Sequence, residues 1–126
     1  MWQYINLNPR NKSVGDCTVR AISTATDKKW VETYLDLCLF GMLMGDMPSS
    51  NSVTTAYLKK NGFRRKTIPD SCHELYSVSD FCKDHPDGTF VIGTGSHLTA
   101  VIDGVLWDSW DSRNETPVYY FEKVGD

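Results

Sequence analysis

His97-Leu-Thr-Ala-Val-Ile-Asp-Gly-Val-Leu-Trp-Asp-Ser-Trp110 is the stretch that decides the fold. Asp103-Gly104, set between two runs that alternate apolar and polar residues, is the strongest short hairpin signal in the chain. A two-residue turn there makes Ile102 face Val105. Counting outward, Thr99 then lies opposite Asp108, and His97 lies opposite Trp110. Side chains alternate along a strand, so Asp108 projects on the same face as His97, one diagonal step away. Thr89-Phe-Val-Ile-Gly93 reads as a buried strand before this ribbon, and residues 118–124 read as a last strand after it.

Working outward toward the N-terminus, the pattern becomes helical. Asp16 is expected to cap a helix that begins at Cys17, by accepting a first-turn N–H bond, with Gly15 turning the loop before it. Cys17, Ala21 and Ala25 recur every four residues and share one small-residue face. A second helix after Thr26-Asp27 carries Trp30, Val31, Tyr34, Leu35, Cys38 and Leu39 as a wide apolar stripe, expected to pack into the core. Residues 41–45 read as either a helix end or an apolar loop. Ser50-Asn51-Ser52 starts a third helix that stops at Asn61-Gly62. Residues 63–68 form a strand whose Arg64-Arg65-Lys66 run marks a solvated edge, and Ser77 or Ser79 caps a short helix over 78–83. A short strand within the first ten residues ends at Pro9. Together these predict one segregated α+β domain over residues 1–126, with N-terminal helices packed on a C-terminal antiparallel sheet.

Composition narrows the function. The 126 residues are 40% hydrophobic and 23% charged, enough apolar material for one core. A formal net charge of −3 excludes a surface-wide footprint for nucleic acid. No apolar run approaches the ~20 residues of a membrane span, and the first residues lack the basic start and apolar stretch of a secretory signal. A cytoplasmic protein is expected. Four cysteines, Cys17, Cys38, Cys72 and Cys82, then read as reduced thiols. Cys72, His73, Cys82 and His85 offer metal-ligand types, but no C-x₂-C knuckle frames them. No metal site is therefore assigned.

Cys17 sits where a helix dipole and free N–H groups favour a thiolate. A thiolate needs a basic partner, and the chain holds only three histidines, His73, His85 and His97. The first two lie in polar, turn-rich surroundings and read as surface residues. His97 opens a strand after a Gly-rich loop, and Asp108 is the carboxylate best placed to hold its imidazole in one tautomer. Asp111 takes that role if the hairpin turn is longer than two residues. Cys38 reads as core. Trp110 falls on the His97 face and is expected to line a cleft, whereas Trp107 reads as packing. Arg20 pairs with a carboxylate or ties its helix to the sheet.

Gly15-Asp16-Cys17-Thr-Val-Arg-Ala-Ile22, followed at a distance by Gly95-Ser-His97-Leu-Thr-Ala-Val101, resembles the papain-like cysteine peptidases, in their compact bacterial and phage form. The resemblance implies Cys17 as nucleophile, His97 as general base and Asp108 as the orienting residue. Papain-like enzymes carry a Gln shortly before the Cys as oxyanion donor. Here Asn11 stands six residues before Cys17, one methylene shorter, with the Cys17 backbone N–H beside it. The aromatic residue that follows the Cys in the best-known relatives is replaced by Thr18-Val19.

The expected activity is therefore that of a cysteine-dependent hydrolase or acyl transferase, acting through a thioester on a peptide or isopeptide. Its chemistry needs no metal or organic cofactor. A cell-wall cross-peptide is a rival substrate. A binding or inhibitory module that keeps the fold without turnover is the rival class, and an ordinary Cys17 thiol pKa would favour it.

Overall fold

The structure, a computed structural model, describes residues 1–69 and 74–125. Two of the metal-ligand types noted above, Cys72 and His73, lie outside the described residues. In chain order the elements are β1 (Trp2–Tyr4), α1 (Cys17–Thr26), α2 (Trp30–Met44), α3 (Asn51–Lys60), β2 (Phe63–Thr67), α4 (Val78–Asp84), β3 (Thr89–Gly93), β4 (Leu98–Ile102), β5 (Val105–Asp108) and β6 (Tyr119–Lys123). The domain is α+β: the helices pack on one six-stranded sheet of order β1-β5-β4-β3-β6-β2.

The hairpin at its centre has the expected register, with Ile102 opposite Val105 and Ala100 opposite Trp107. Asp103 (φ 51°) and Gly104 (φ 76°) both adopt the left-handed conformation. That is the turn geometry whose twist matches the flanking strands. Period-two alternation then fills both faces of the sheet. Val91, Leu98, Ala100 and Phe121 meet Ala21, Ile22, Ala25, Tyr57 and Leu58 on one side. Phe90, Ile92, Val101 and Leu106 meet Val78, Phe81 and Cys82 on the other. The small face of α1 lets that helix lie close across β4.

The sheet is mixed rather than antiparallel. β1 pairs in parallel with β5, placing Trp2 beside Leu106 and Tyr4 beside Asp108. The strand expected within the first ten residues is there, but its parallel pairing with a partner a hundred positions away has no local signature, so the expectation of a purely C-terminal antiparallel sheet fails at this edge. β2 forms the opposite edge against β6. There Arg64, Arg65 and Lys66 occupy the rim expected of them, with Lys66 Nζ 2.5 Å from Glu122. Short or charged edge strands resist pairing with other chains.

The apolar stripe read on α2 is also not the core face. Thr33, Leu37 and Gly41 are buried, whereas Leu35 is 61% exposed and Val31, Tyr34 and Leu39 are exposed with it. The helix is apolar nearly all round, so its periodicity cannot select a face. Packing selects it instead. A Cβ at Gly41 would meet the Asp46 carbonyl at 2.8 Å, because the 46–48 segment folds back against that side. The helix runs to Met44 and ends on Gly45 at φ 68°, so residues 41–45 are a helix end. Capping of α3 by Ser50 and of α4 by Ser77, with Asp80 completing a capping box, follows the sequence reading. Among the described residues no helix is long and apolar enough to cross a membrane.

Candidate active site

Cys17 is the first residue of α1, and Asp16 before it does not cap the helix with its side chain. The carboxylate turns inward, 8% exposed. It accepts bonds from Arg20 Nε at 2.7 Å, Trp30 Nε1 at 2.9 Å and Asn8 Nδ2 at 3.1 Å. Three side-chain donors outcompete the backbone amide, and the first-turn N–H groups beside Cys17 go without a side-chain acceptor from Asp16. Burial works to raise the Asp16 pKa, yet these bonds hold the carboxyl below its usual range.

The 94–97 loop places His97. Thr94 N–H donates to the His97 carbonyl at 2.9 Å, and Gly95 takes φ 102°. His97 Nε2 then lies 2.7 Å from Asp108 Oδ2, as the two-residue turn requires. An ionised carboxylate only accepts, so Nε2 carries the hydrogen and Nδ1 is the remaining ring nitrogen. The imidazole side chain is 9% exposed and the carboxylate 2%.

The Cys17 thiol and the His97 imidazole are close enough for each to shift the other's protonation. The imidazole is the main cause lowering the thiol pKa. Burial opposes it, while the Leu98 N–H and the charges of His97 and Arg20 assist. For His97, burial disfavours the cation, but the Asp108 carboxylate and the Cys17 sulfur outweigh it and push the pKa up to about 9. Both shifts favour a thiolate–imidazolium pair, whose titration belongs to the pair.

Asp108 is held from several sides. Ser112 Oγ donates at 2.7 Å to Oδ2, and the Asp108 carboxylate also accepts from the Ser109 N–H at 2.7 Å and from Arg20 at 3.3 Å. Burial raises its pKa, while bonds from His97, Ser112 and Thr99 lower it further than burial can lift it. Arg20 donates in addition to Ser109 Oγ at 2.7 Å. It thus links Asp16 on α1 to the end of β5, performing both roles considered for it. Ser112, fully buried, was not legible in the sequence. It lies in the irregular 109–118 connection, which Val78 and Ser79 pin by donating to the Glu115 and Arg113 carbonyls. No spacing rule reaches across such a segment.

Other sequence assignments resolve differently. Asp111 is exposed and engaged with Arg113 at 2.8 Å, so it does not compete for His97. His85 is not a free surface residue: half-buried, it stacks on Phe81 at 3.9 Å between ring centroids. Cys38 is not core but half-buried. Cys82 is buried, and burial pushes its thiol pKa up. Among the described residues no group of three metal-ligating side chains occurs.

Trp110 is 43% exposed and its ring lies 4.9 Å from that of His97. Asn11 stands on the exposed loop before α1 at φ 52°. Its side-chain oxygen accepts from Asn6 at 3.4 Å, and it shares a polar recess with Asp16, Arg20 and Ser109.

No protein-family model, curated protein or solved structure matches the chain.

Proposed function

We propose that the protein is a cysteine-dependent hydrolase of papain-like organisation, cleaving a peptide, isopeptide or related amide. One observation carries the reading: His97 is hydrogen-bonded to the Asp108 carboxylate at 2.7 Å on one side and is electrostatically coupled to the Cys17 sulfur on the other. The order of a nucleophile helix followed by a His-bearing ribbon supports the papain-like assignment. The free thiols at Cys17, Cys38 and Cys82 fit a reducing, cytoplasmic setting.

In this reaction the Cys17 thiolate attacks the carbonyl carbon, and the electron pair moves to oxygen. The Cys17 N–H at the tip of α1 faces the developing oxyanion, favoured by the helix dipole. The Asn11 side-chain amide, in the recess beside Asp16 and Arg20, supplies the second donor. Collapse of the intermediate breaks the C–N bond as His97 Nδ1 gives its proton to the departing amine, leaving a thioester. Water then attacks while His97 takes its proton. The C–S bond breaks, and acid is released with Cys17 restored. Asp108, anchored by Ser112 and Arg20, keeps the imidazole in one orientation throughout.

The test is alkylation with iodoacetamide, read by peptide mass spectrometry, beside turnover of a peptide library and of peptidoglycan fragments. Preferential modification of Cys17, with turnover abolished by Cys17→Ala, supports the reading. Modification spread over the four cysteines, with an unperturbed Cys17 and no turnover of either substrate set, leaves a binding module instead.

A further inference from the structure

β2 is an outer strand of the sheet, with β6 its partner on the inner side. Residues of an antiparallel pair alternate between those that bond across the ladder and those whose N–H and C=O point away from it. Val124 donates to the Gly62 carbonyl at 2.7 Å, and Ile68 donates to the Val118 carbonyl at 3.4 Å. These two pairs bracket β2 and fix the alternation. Arg64 and Lys66 bond to β6, whereas the backbone groups of Phe63, Arg65 and Thr67 face outward. Among the described residues nothing bonds to those outward groups. Arg64, Arg65 and Thr67 are exposed, so the edge stands open.

The charge around this edge is one-sided. α3, β2 and β6 carry Lys59, Lys60, Arg64, Arg65, Lys66 and Lys123, six of the thirteen basic residues of a net-acidic chain, against the single carboxylate of Glu122. Lys66 takes that carboxylate at 2.5 Å. Arg65 lies over the Tyr119 ring at 4.5 Å, and Lys123 lies over that of Phe63 at 5.8 Å. Among the described residues neither has a carboxylate partner, nor do Lys59, Lys60 and Arg64. Between α3 and the strand lies a groove of about 490 Å³, lined by Lys59, Arg64 and Arg65 together with Val124 and the buried Phe63 and Phe121.

We propose that β2 is a docking edge for an extended acidic segment of a partner polypeptide, which joins the six-stranded sheet as a further strand. The outward main-chain groups of Phe63, Arg65 and Thr67 supply the new ladder, and the flanking side chains supply the choice of sequence. On one face of the added strand an apolar side chain enters the groove beside Phe63 and Phe121, with a carboxylate next to it meeting Arg65 and Lys59. On the other face carboxylates meet Arg64. The charge run that repels a second copy of this edge attracts such a strand. Nucleic acid suits the edge less well, because the outward carbonyls of the same three residues only accept and would face its phosphates. β2 lies three strands from β4, and nothing here depends on Cys17.

The probe is the fluorescein-labelled peptide Glu-Leu-Glu-Glu-Glu-Val-Glu, beside its counterpart with Lys for every Glu and an oligothymidylate of ~20 nucleotides. Binding is read by fluorescence anisotropy at low salt. The acidic peptide should bind at least about tenfold more tightly than either rival, and more weakly in ~0.5 M salt. Joint Lys59→Glu and Arg64→Glu substitution should cost at least about tenfold in affinity. Arg65→Ala and Arg65→Pro both remove the charge, but only the second removes an outward N–H, at a position where an edge strand tolerates proline. The Pro variant should bind about three- to tenfold more weakly than the Ala variant. If Arg65→Pro loses its cooperative urea transition, the amide-I infrared band of a probe isotope-labelled at its carbonyls decides instead, and should move to the strand position on binding. Equal binding of the acidic and basic peptides, or no binding of the acidic one, would overturn the proposal. Tighter binding of the oligothymidylate would assign the edge to nucleic acid and overturn it too. Equal affinities of Arg65→Pro and Arg65→Ala, or a bound probe without the strand band, would leave a charged surface with no added strand. Cys17→Ala should bind the acidic peptide as the native protein does, so this reading and the hydrolase reading fail separately.

Discussion

Cys17 and Cys82 belong to helices on opposite faces of the same sheet, and their surroundings drive the two thiols in opposite directions. Around Cys82 are Tyr76, Val78, Phe81 and Phe90, where burial has little to oppose it and the neutral thiol is favoured. Around Cys17, burial also opposes ionisation, but His97, the Leu98 N–H and Arg20 outweigh it. Enclosure alone makes a cysteine inert. Enclosure with directed donors makes it a nucleophile.

The contrast breaks most completely if the imidazole is removed. His97→Ala should lower turnover by about 10²–10⁴, whereas Cys82→Ala should leave the alkylation rate of Cys17 unchanged. Asp108→Asn should follow in size. It leaves the His97 imidazolium, 9% exposed in its side chain, without its carboxylate, while Arg20 keeps the buried Asp16 at 2.7 Å. Urea unfolding should register a loss of about 3–5 kcal/mol, alongside slower turnover with KM little altered. Ser112→Ala removes one donor to the buried carboxylate and should cost about 1.5–3 kcal/mol by the same measurement.

The pH dependence of stability sharpens the comparison further. His97 has its folded pKa raised to about 9, above the ordinary 6.5. It contributes stability that is fully present below pH 6.5 and lost as the pH climbs through 9. Cys17 has its pKa lowered, so its contribution is present above the ordinary thiol value and lost as the pH falls through the folded one. Between the lowered Cys17 value and about 9 the two slopes oppose each other. Native urea midpoints should therefore change little in that window. In Cys17→Ser the His97 slope stands alone, and the midpoint should fall as the pH rises. A flat profile in that variant would mean that Asp108 does not hold the proton on His97.

How much of this was legible in the sequence depends on how local each signal was. Asp103-Gly104 specified a turn, the turn specified a register, and the register put Asp108 on the His97 face by local sequence alone. Ser50 and Ser77 announced their helices because a cap needs only the next three residues. Asp16 had the same local credentials. It failed as a cap because Trp30, fourteen residues later, and Asn8, eight earlier, drew its carboxylate inward. The β5 partner of β1 and the role of Ser112 were invisible for a related reason: both are fixed by the path of the whole chain. The buried side of α2 was likewise set by its packing on α1 and α3, with the 46–48 segment against Gly41, and not by its own repeat. The cysteine and histidine of the candidate site were found as residue types in suggestive settings. The network that fixes their protonation was not, apart from Asp108 and the carboxylate partner foreseen for Arg20.

The rate of Cys17 alkylation by iodoacetamide, followed from pH 4 to 10 in the native protein and in His97→Ala, bears on the central claim most directly. A thiolate–imidazolium pair predicts reactivity already present well below an ordinary thiol pKa of about 8.5, a second change near pH 9 as His97 loses its proton, and collapse to one ordinary thiol titration in the variant. A single titration near 8.5 in both proteins would contradict it.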